Sequence, residues 1–178
     1  IEGDYFSAGE ELNTLGGTGA AITSYAFFGS GVYYQHAVLD VAALRDSLQG
    51  DGPRTAQAVQ AFLNGLLFAQ PSGKRNSYAS DVAAAYVLVG RGDGPSFNAM
   101  LAFLRPVTAD DGDLLRASAD ELRRFYETTR TAYGLDTDYR VFAATPNLRR
   151  GNAPEEPEVW DVAALRGFVD GALHPQPA

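Results

Sequence analysis

The spacing of apolar residues along this 178-residue chain changes several times, and each change marks a predicted element. The stretch "FFGSGVYYQHAVL", residues 27–39, is rich in β-branched and aromatic side chains. Val32, Tyr34, His36 and Val38 would lie on one side of an extended chain, with Tyr33, Gln35, Ala37 and Leu39 on the other. Neither side is cleanly polar, which predicts a central strand with both faces covered or with one face used for binding. Helical spacing then takes over. Asp40 suits the N-cap of "VAALRDSLQ", with Gly50 as its stop. Asp51 and Pro53 open a second helix carrying Val59, Phe62, Leu63, Leu66 and Leu67, which Pro71 ends.

The second half alternates in the same way. "YASDVAAAYVLVG", residues 78–90, reads as a strand and "SFNAMLAFL" as a short amphipathic helix. Ser118 and Glu121 form a capping box for a longer helix whose Leu122, Phe125, Tyr126, Thr129 and Tyr133 share a face before Gly134. "YRVFAAT" is a last strand, "NLRRGNAPEEPE" a polar loop and "VWDVAALRGFVDGAL" a last helix. The fold class is therefore α+β. Residues 1–24 hold no sustained period and read as an extended arm or long loop, with residues 25–178 as the body. The hexapeptide DVAALR occurs at Asp40 to Arg45 and again at Asp161 to Arg166. Its flanks differ, so two helix starts with the same capping chemistry account for it better than a structural repeat.

Charge narrows the function classes. A net charge of -8 opposes bulk attraction to nucleic acid or anionic lipid, so any grip on a polyanion must be local. The absence of cysteine excludes a disulfide framework and a thiolate metal site. No apolar run approaches the roughly 20 residues of a membrane span, and no signal-peptide pattern opens the chain. A soluble, cytoplasmic protein is expected.

Searches for catalytic patterns fail on spacing. Around Lys74, Phe68 stands where a P-loop needs glycine and Arg75 where it needs a hydroxyl. Ser30 lacks the Gly-x-Ser-x-Gly of a nucleophile elbow. His36 and His174 are the only histidines and have no neighbours at metal-ligand spacing; His36 reads as a strand residue with a satisfied hydrogen bond. Asp110, Asp111 and Asp113 could bind a cation, and a capped helix entrance explains them as well. No catalytic residue, metal or cofactor is predicted.

The remaining chemistry is a basic turn. In "QPSGKRNSYA", Lys74, the only lysine of the chain, stands beside Arg75 and Asn76 after Ser72 and Gly73. Such a loop can hold a phosphodiester backbone without reading bases, and Tyr78 could stack on a base. A solvated hairpin end is the competing explanation. In "DYFS", Tyr5 and Phe6 are adjacent, so in an extended arm they fall on opposite sides. At least one is then exposed or used at a contact, unless the pair anchors the loop.

Three segments in order, "DYFSAGEEL", "FFGSGVYYQHAVLDVAALRDSL" and "PSGKRNSYA", resemble the CasC-type backbone subunit of the type I-E CRISPR Cascade complex. The resemblance covers residues 1 to about 105 well and matches about the C-terminal half of that family. It implies a partial RNA-recognition-motif-like (ferredoxin-like) palm, a protruding thumb and head-to-tail copies along a CRISPR RNA that pairs with target DNA. It implies other Cascade subunits as further partners and no enzymatic activity. Tyr5, Phe6 and Ser7 fall where the family wedges a displaced nucleotide, and Lys74 and Arg75 in its backbone-contacting loop. A small acidic α/β enzyme and a protein-only interaction module are the competing readings.

Overall fold

The computed structural model describes residues 2–6, 24–28, 31–69, 82–145, 148, 158–159 and 161–173. The chain divides into two compact units, Ile1–Tyr33 and Tyr34–Ala178. In the first, strand β1 (Glu2–Phe6) pairs antiparallel with β2 (Ser24–Phe28), so that Tyr5 lies opposite Tyr25 and Phe6 opposite Ser24. The segment read as an extended arm or long loop thus begins with a paired strand.

Residues 31–40, which run across the boundary between the units at Tyr33 and Tyr34, form neither helix nor strand. The central strand expected over 27–39 is therefore confined to the end of β2. Val32, Tyr33 and Val38 are exposed, and His36 sits exposed in this non-strand segment. High β propensity describes fit to a pleated, half-buried surface, and it makes no strand where no ladder neighbour accepts the backbone. Tyr34 fastens the segment, its hydroxyl donating to Asn98 Oδ1 at 3.0 Å and its ring lying 5.4 Å from that of Phe103.

Helices α1 (Val41–Ser47) and α2 (Gly52–Phe68) follow, capped by Asp40 and Asp51. Asp40 accepts from Ala43 N at 2.8 Å and Asp51 from Arg54 N at 3.0 Å. Gln49 and Gly50 turn the chain between them at positive φ. Along α2 the buried residues are Thr55, Val59, Leu63 and Leu67, an i, i+4 stripe. Phe62, expected on that face, lies off it and is exposed.

A three-stranded sheet follows in the order β3 (Tyr86–Arg91), β4 (Asp138–Ala143), β5 (Glu158–Val159), antiparallel and then parallel. β5 falls in and just beyond the stretch read as polar loop. Its two residues are too few for any periodicity, and only the ladder to Val141 and Phe142 makes them a strand. β3 starts at Tyr86 rather than Tyr78, because Ala84 N already donates to Leu67 O at the end of α2.

Helix α3 (Leu114–Ala132) starts a turn before the expected capping box. Asp113 caps it, accepting from Arg116 N at 2.9 Å, while Ser118 lies inside the helix and donates to Leu114 O at 2.7 Å. A carboxylate at a free helix N-terminus outcompetes a hydroxyl one turn later. The buried face is accordingly Ser118, Ala119, Arg123 and Tyr126, and Tyr133 at the C-cap is exposed. The short helix expected over 96–104 is a 3-10 helix, Ala99–Phe103. Helix α4 (Val162–Leu173) closes the fold, with Asp161 accepting from Ala164 N at 2.6 Å. Both copies of DVAALR are thus helix starts with the same aspartate cap.

Alternation along β4 assigns its two faces. Phe142 packs with Leu63, Leu67 and Leu165 from α2 and α4, joined by Val87 and Val89 of β3. Ala143 packs with Ala119 and Leu148, joined by Tyr86 and Leu115. Val141 and Ala143 are fully buried. No helix among the described residues is long and apolar enough to cross a membrane.

Glycine is required at Gly90, where a Cβ would stand 2.5 Å from the Tyr126 hydroxyl and 3.1 Å from Thr137 Cγ2. Tyr126 cannot retreat easily, with Phe97 stacked 5.0 Å away on one side and Tyr139 tilted 5.3 Å away on another. We predict that Gly90→Ala costs about 1–3 kcal/mol of stability, a fall of several degrees in Tm. Adding Tyr126→Phe, which removes the clashing oxygen, should recover part of that loss; simple additivity of the two in thermal unfolding would refute the clash.

Candidate nucleic-acid interface

The described sheet is closed to nucleic acid across its central strand. An RNA-recognition motif stacks bases on aromatic residues of an open sheet face. Here α2 and α4 cover one face of β4 and α3 the other. Bases have no access to Val141, Phe142 or Ala143, so any grip on a strand must come from the projections around the sheet.

Most described arginines are already committed to carboxylates. Arg116 pairs with Asp111, Arg124 with Glu121, Arg123 with Glu127 at 3.0 Å and Arg54 with Asp51 at 3.4 Å. Asp138 holds two, Arg91 at 3.1 Å and Arg140 at 2.7 Å. Both guanidinium groups also stack on the Phe168 ring, 4.3 and 4.8 Å from its centroid, and Arg91 donates to Phe168 O at 2.6 Å. This cluster ties the end of the sheet to α4. Neutralised locally, these cations leave the body without a broad attractive field.

The acidic trio resolves into capping chemistry. Asp113 caps α3 and Asp111 accepts from Asp113 N at 3.1 Å. That backbone N–H holds the Asp111 carboxyl below its ordinary pKa, and the Arg116 guanidinium adds to the effect. No group of three His, Cys, Asp or Glu among the described residues could hold a metal ion.

Only the flanks of the stretch read as a basic turn are described. α2 runs to Phe68, and Ala69 N donates to Gly65 O at 2.8 Å. The chain is described again from Val82, and Ala84 N donates to Leu67 O at 3.0 Å. The described residues that flank Lys74, Arg75, Asn76 and Tyr78 are thus held to each other by the Leu67–Ala84 hydrogen bond, and Leu67 is 2% exposed. Those four residues and Ser7 lie outside the described residues, as does His174. Tyr5 and Phe6 occupy successive positions of β1, hence opposite faces of the ribbon; their side chains lie outside what is described.

Two residues at these flanks were missed by the sequence reading. Phe68 is 56% exposed and Val82 63%. Phe68 falls off the Thr55, Val59, Leu63, Leu67 stripe, and that offset is the signal that could have identified it.

On the α3 side of the sheet, the Tyr139 hydroxyl donates to Glu127 Oε1 at 2.9 Å. Burial raises its pKa above the ordinary 10.0, and the Glu127 carboxylate raises it further; burial alone raises that of Tyr126. With folded values above unfolded ones, the stability from the neutral phenols is complete below pH 10 and lost as pH rises through the folded pKa. In a tyrosinate absorbance titration, we predict late-ionising tyrosines in the native protein, with Glu127→Gln shifting one of them to lower pH. An unshifted curve would separate Tyr139 from Glu127.

The family model described as CT1975-like protein matches residues 1–161. No curated protein matches the chain. A chain of a solved "CRISPR RNA-guided surveillance complex" superposes with a TM-score of 0.77 at 25% identity, over 96% of this chain and 64% of that one. A chain of a "CRISPR RNA-guided surveillance complex, pre-nicking" superposes with a TM-score of 0.75 at 25% identity, over 96% of this chain and 46% of that one. The chain thus spans less than two thirds of the length of either solved chain. The α+β, RNA-recognition-motif-like fold class implied by the resemblance agrees with both matches.

Proposed function

The chain belongs to the CT1975-like protein family, and on that premise we propose that it is a subunit of a CRISPR surveillance complex that holds the guide RNA. The observation that carries the reading is the superposition of nearly the whole chain on a subunit of an RNA-guided complex, together with a family match across residues 1–161. Within it we assign the finer role of a type I-E, CasC-type backbone subunit, on the three ordered motifs around Tyr5, Tyr33 and Lys74. The role is non-enzymatic and cytoplasmic, and the subunit lines up with further copies of itself and other Cascade subunits along the guide.

The division of labour follows from charge. Lys74 and Arg75 offer two cations and Asn76 an amide to successive phosphates, fixing position without sequence preference. Tyr78 supplies a ring for a base. On the thumb at residues 1–24, Tyr5, Phe6 and Ser7 displace one guide nucleotide and leave its neighbours free to pair with target DNA. Sequence-independent grip suits that task, because pairing with the guide selects the target. The covered sheet supports this arrangement, since it leaves loops and ribbon as the contacting parts.

The reading is tested by anisotropy of a labelled spacer RNA with the complete protein over a salt series. Losing two phosphate contacts in Lys74→Ala/Arg75→Ala should lower the log-log salt slope by about 1.4, at roughly 0.7 per contact on a single strand. A slope unchanged from wild type would take this loop out of the interface, and no salt-sensitive binding at all would favour a protein-only module. For the ribbon, Phe6→Ala should weaken assembly on the RNA at unchanged Tm; unfolding instead would make Phe6 a core residue.

A further inference from the structure

We infer that Tyr34 is a releasable latch that holds residues 34–38 on the second unit and so sets the length of free chain leading to the first. This goes beyond the guide-holding reading and does not depend on it.

Three observations carry it. The boundary between the two compact units falls between Tyr33 and Tyr34, so Tyr34 is the first residue of the second unit. From there to Leu39 the chain forms neither helix nor strand, and Gln35, His36, Ala37 and Val38 are all exposed. Among the described residues, no backbone hydrogen bond ties residues 34–39 to the rest of the unit. A side-chain bond does so instead: the Tyr34 hydroxyl donates to Asn98 Oδ1 at 3.0 Å, and its half-buried ring lies 5.4 Å from that of Phe103.

The keeper of this latch is fixed, whereas the strap is not. Asn98 caps the 3-10 helix, its Oδ1 also accepting from Met100 N at 2.9 Å. Ala99 and Ala102 of that helix are buried, and the preceding Phe97 is stacked on Tyr126 of α3. On the strap, the next half-buried residue is Leu39 and the next hydrogen-bonded one is Asp40, the cap of α1. Release of Tyr34 therefore frees residues 34–38 without breaking a backbone hydrogen bond among the described residues. Fully extended, that stretch adds roughly 17 Å of reach to the first unit, whose β1–β2 ribbon carries Tyr5 and Phe6. A hold made of one solvent-accessible hydrogen bond and one ring pair opens locally, ahead of the packed core.

The experiment is native-state proteolysis of the complete protein with thermolysin, which cuts before Val38 and Leu39 and leaves fragments that intact mass identifies. When opening is fast, the cutting rate follows the population of the open form. Tyr34→Phe, which removes only the hydrogen bond, should speed these cuts about fivefold, and Tyr34→Ala, which also removes the ring, by about tenfold or more. Thermal unfolding of both should stay close to wild type. Asn98→Ala should speed the cuts in the wild-type background and add little in Tyr34→Phe, because the two side chains share one bond. Unchanged cutting in Tyr34→Ala would overturn the inference, since something else would then hold the segment. A large fall in Tm in Tyr34→Ala, with cuts inside α3 rising in step, would also overturn it by making Tyr34 a part of the core. Equal acceleration by Asn98→Ala in both backgrounds would do the same, assigning the effect to the lost helix cap.

Discussion

Burial of one strand on both faces organises the described part of this protein. β4 places Phe142 against Leu63, Leu67 and Leu165 and turns Val141 and Ala143 the other way, toward α3. Each buried valine, leucine or phenylalanine side chain among them contributes about 1.5–3 kcal/mol. These residues come from segments far apart in sequence, so they hold the body together rather than any single hairpin. The same burial sets a limit on function. A strand packed on both sides cannot serve as a reading surface for bases.

The surface chemistry agrees with that limit. Arginine is plentiful, yet most described guanidiniums answer a carboxylate one or two turns away or, as with Arg91 and Arg140, share one across the end of the sheet. Apart from Arg123, which is buried, these are exposed pairs that contribute little to stability, on the order of 0–1 kcal/mol each. Their larger effect is to cancel positive potential over the body. A strand of nucleic acid then meets net repulsion everywhere except where cations stand without local acids. In the sequence, Lys74 and Arg75 are two adjacent cations with no acidic residue within five positions on either side.

Short-range chemistry was readable from the amino-acid order, and long-range pairing was not. Asp40, Asp51 and Asp161 act as caps because a cap needs only a side chain and an N–H three residues on. Gly134 stops α3 at φ +59 for the same local reason. By contrast, "VYYQHAVL" has the composition of a strand and forms none among the described residues, because a strand is a relation between two segments. Glu158 and Val159 show the converse, joining the sheet without a strand-like composition. Asp113 displaced Ser118 as the cap of α3 because two acceptors competed for one helix start. The sequence singled out the stretch around Lys74, which lies outside the described residues, while the hydrogen bond from Ala84 N to Leu67 O at its flanks and the exposure of Phe68 emerge only from the packed helix.

The duplicated hexapeptide carries a consequence for motion. Identical residues start α1 and α4, each with its aspartate cap, but α1 buries none of its residues whereas α4 sinks Leu165 completely into the core. Local code is therefore held constant while tertiary anchorage is varied within one molecule. The amide of Leu44 will exchange with solvent through fraying of a single short helix, and that of Leu165 only when the packing around β4 opens. Their protection ratio measures directly how much the fold adds to a helix beyond its own sequence.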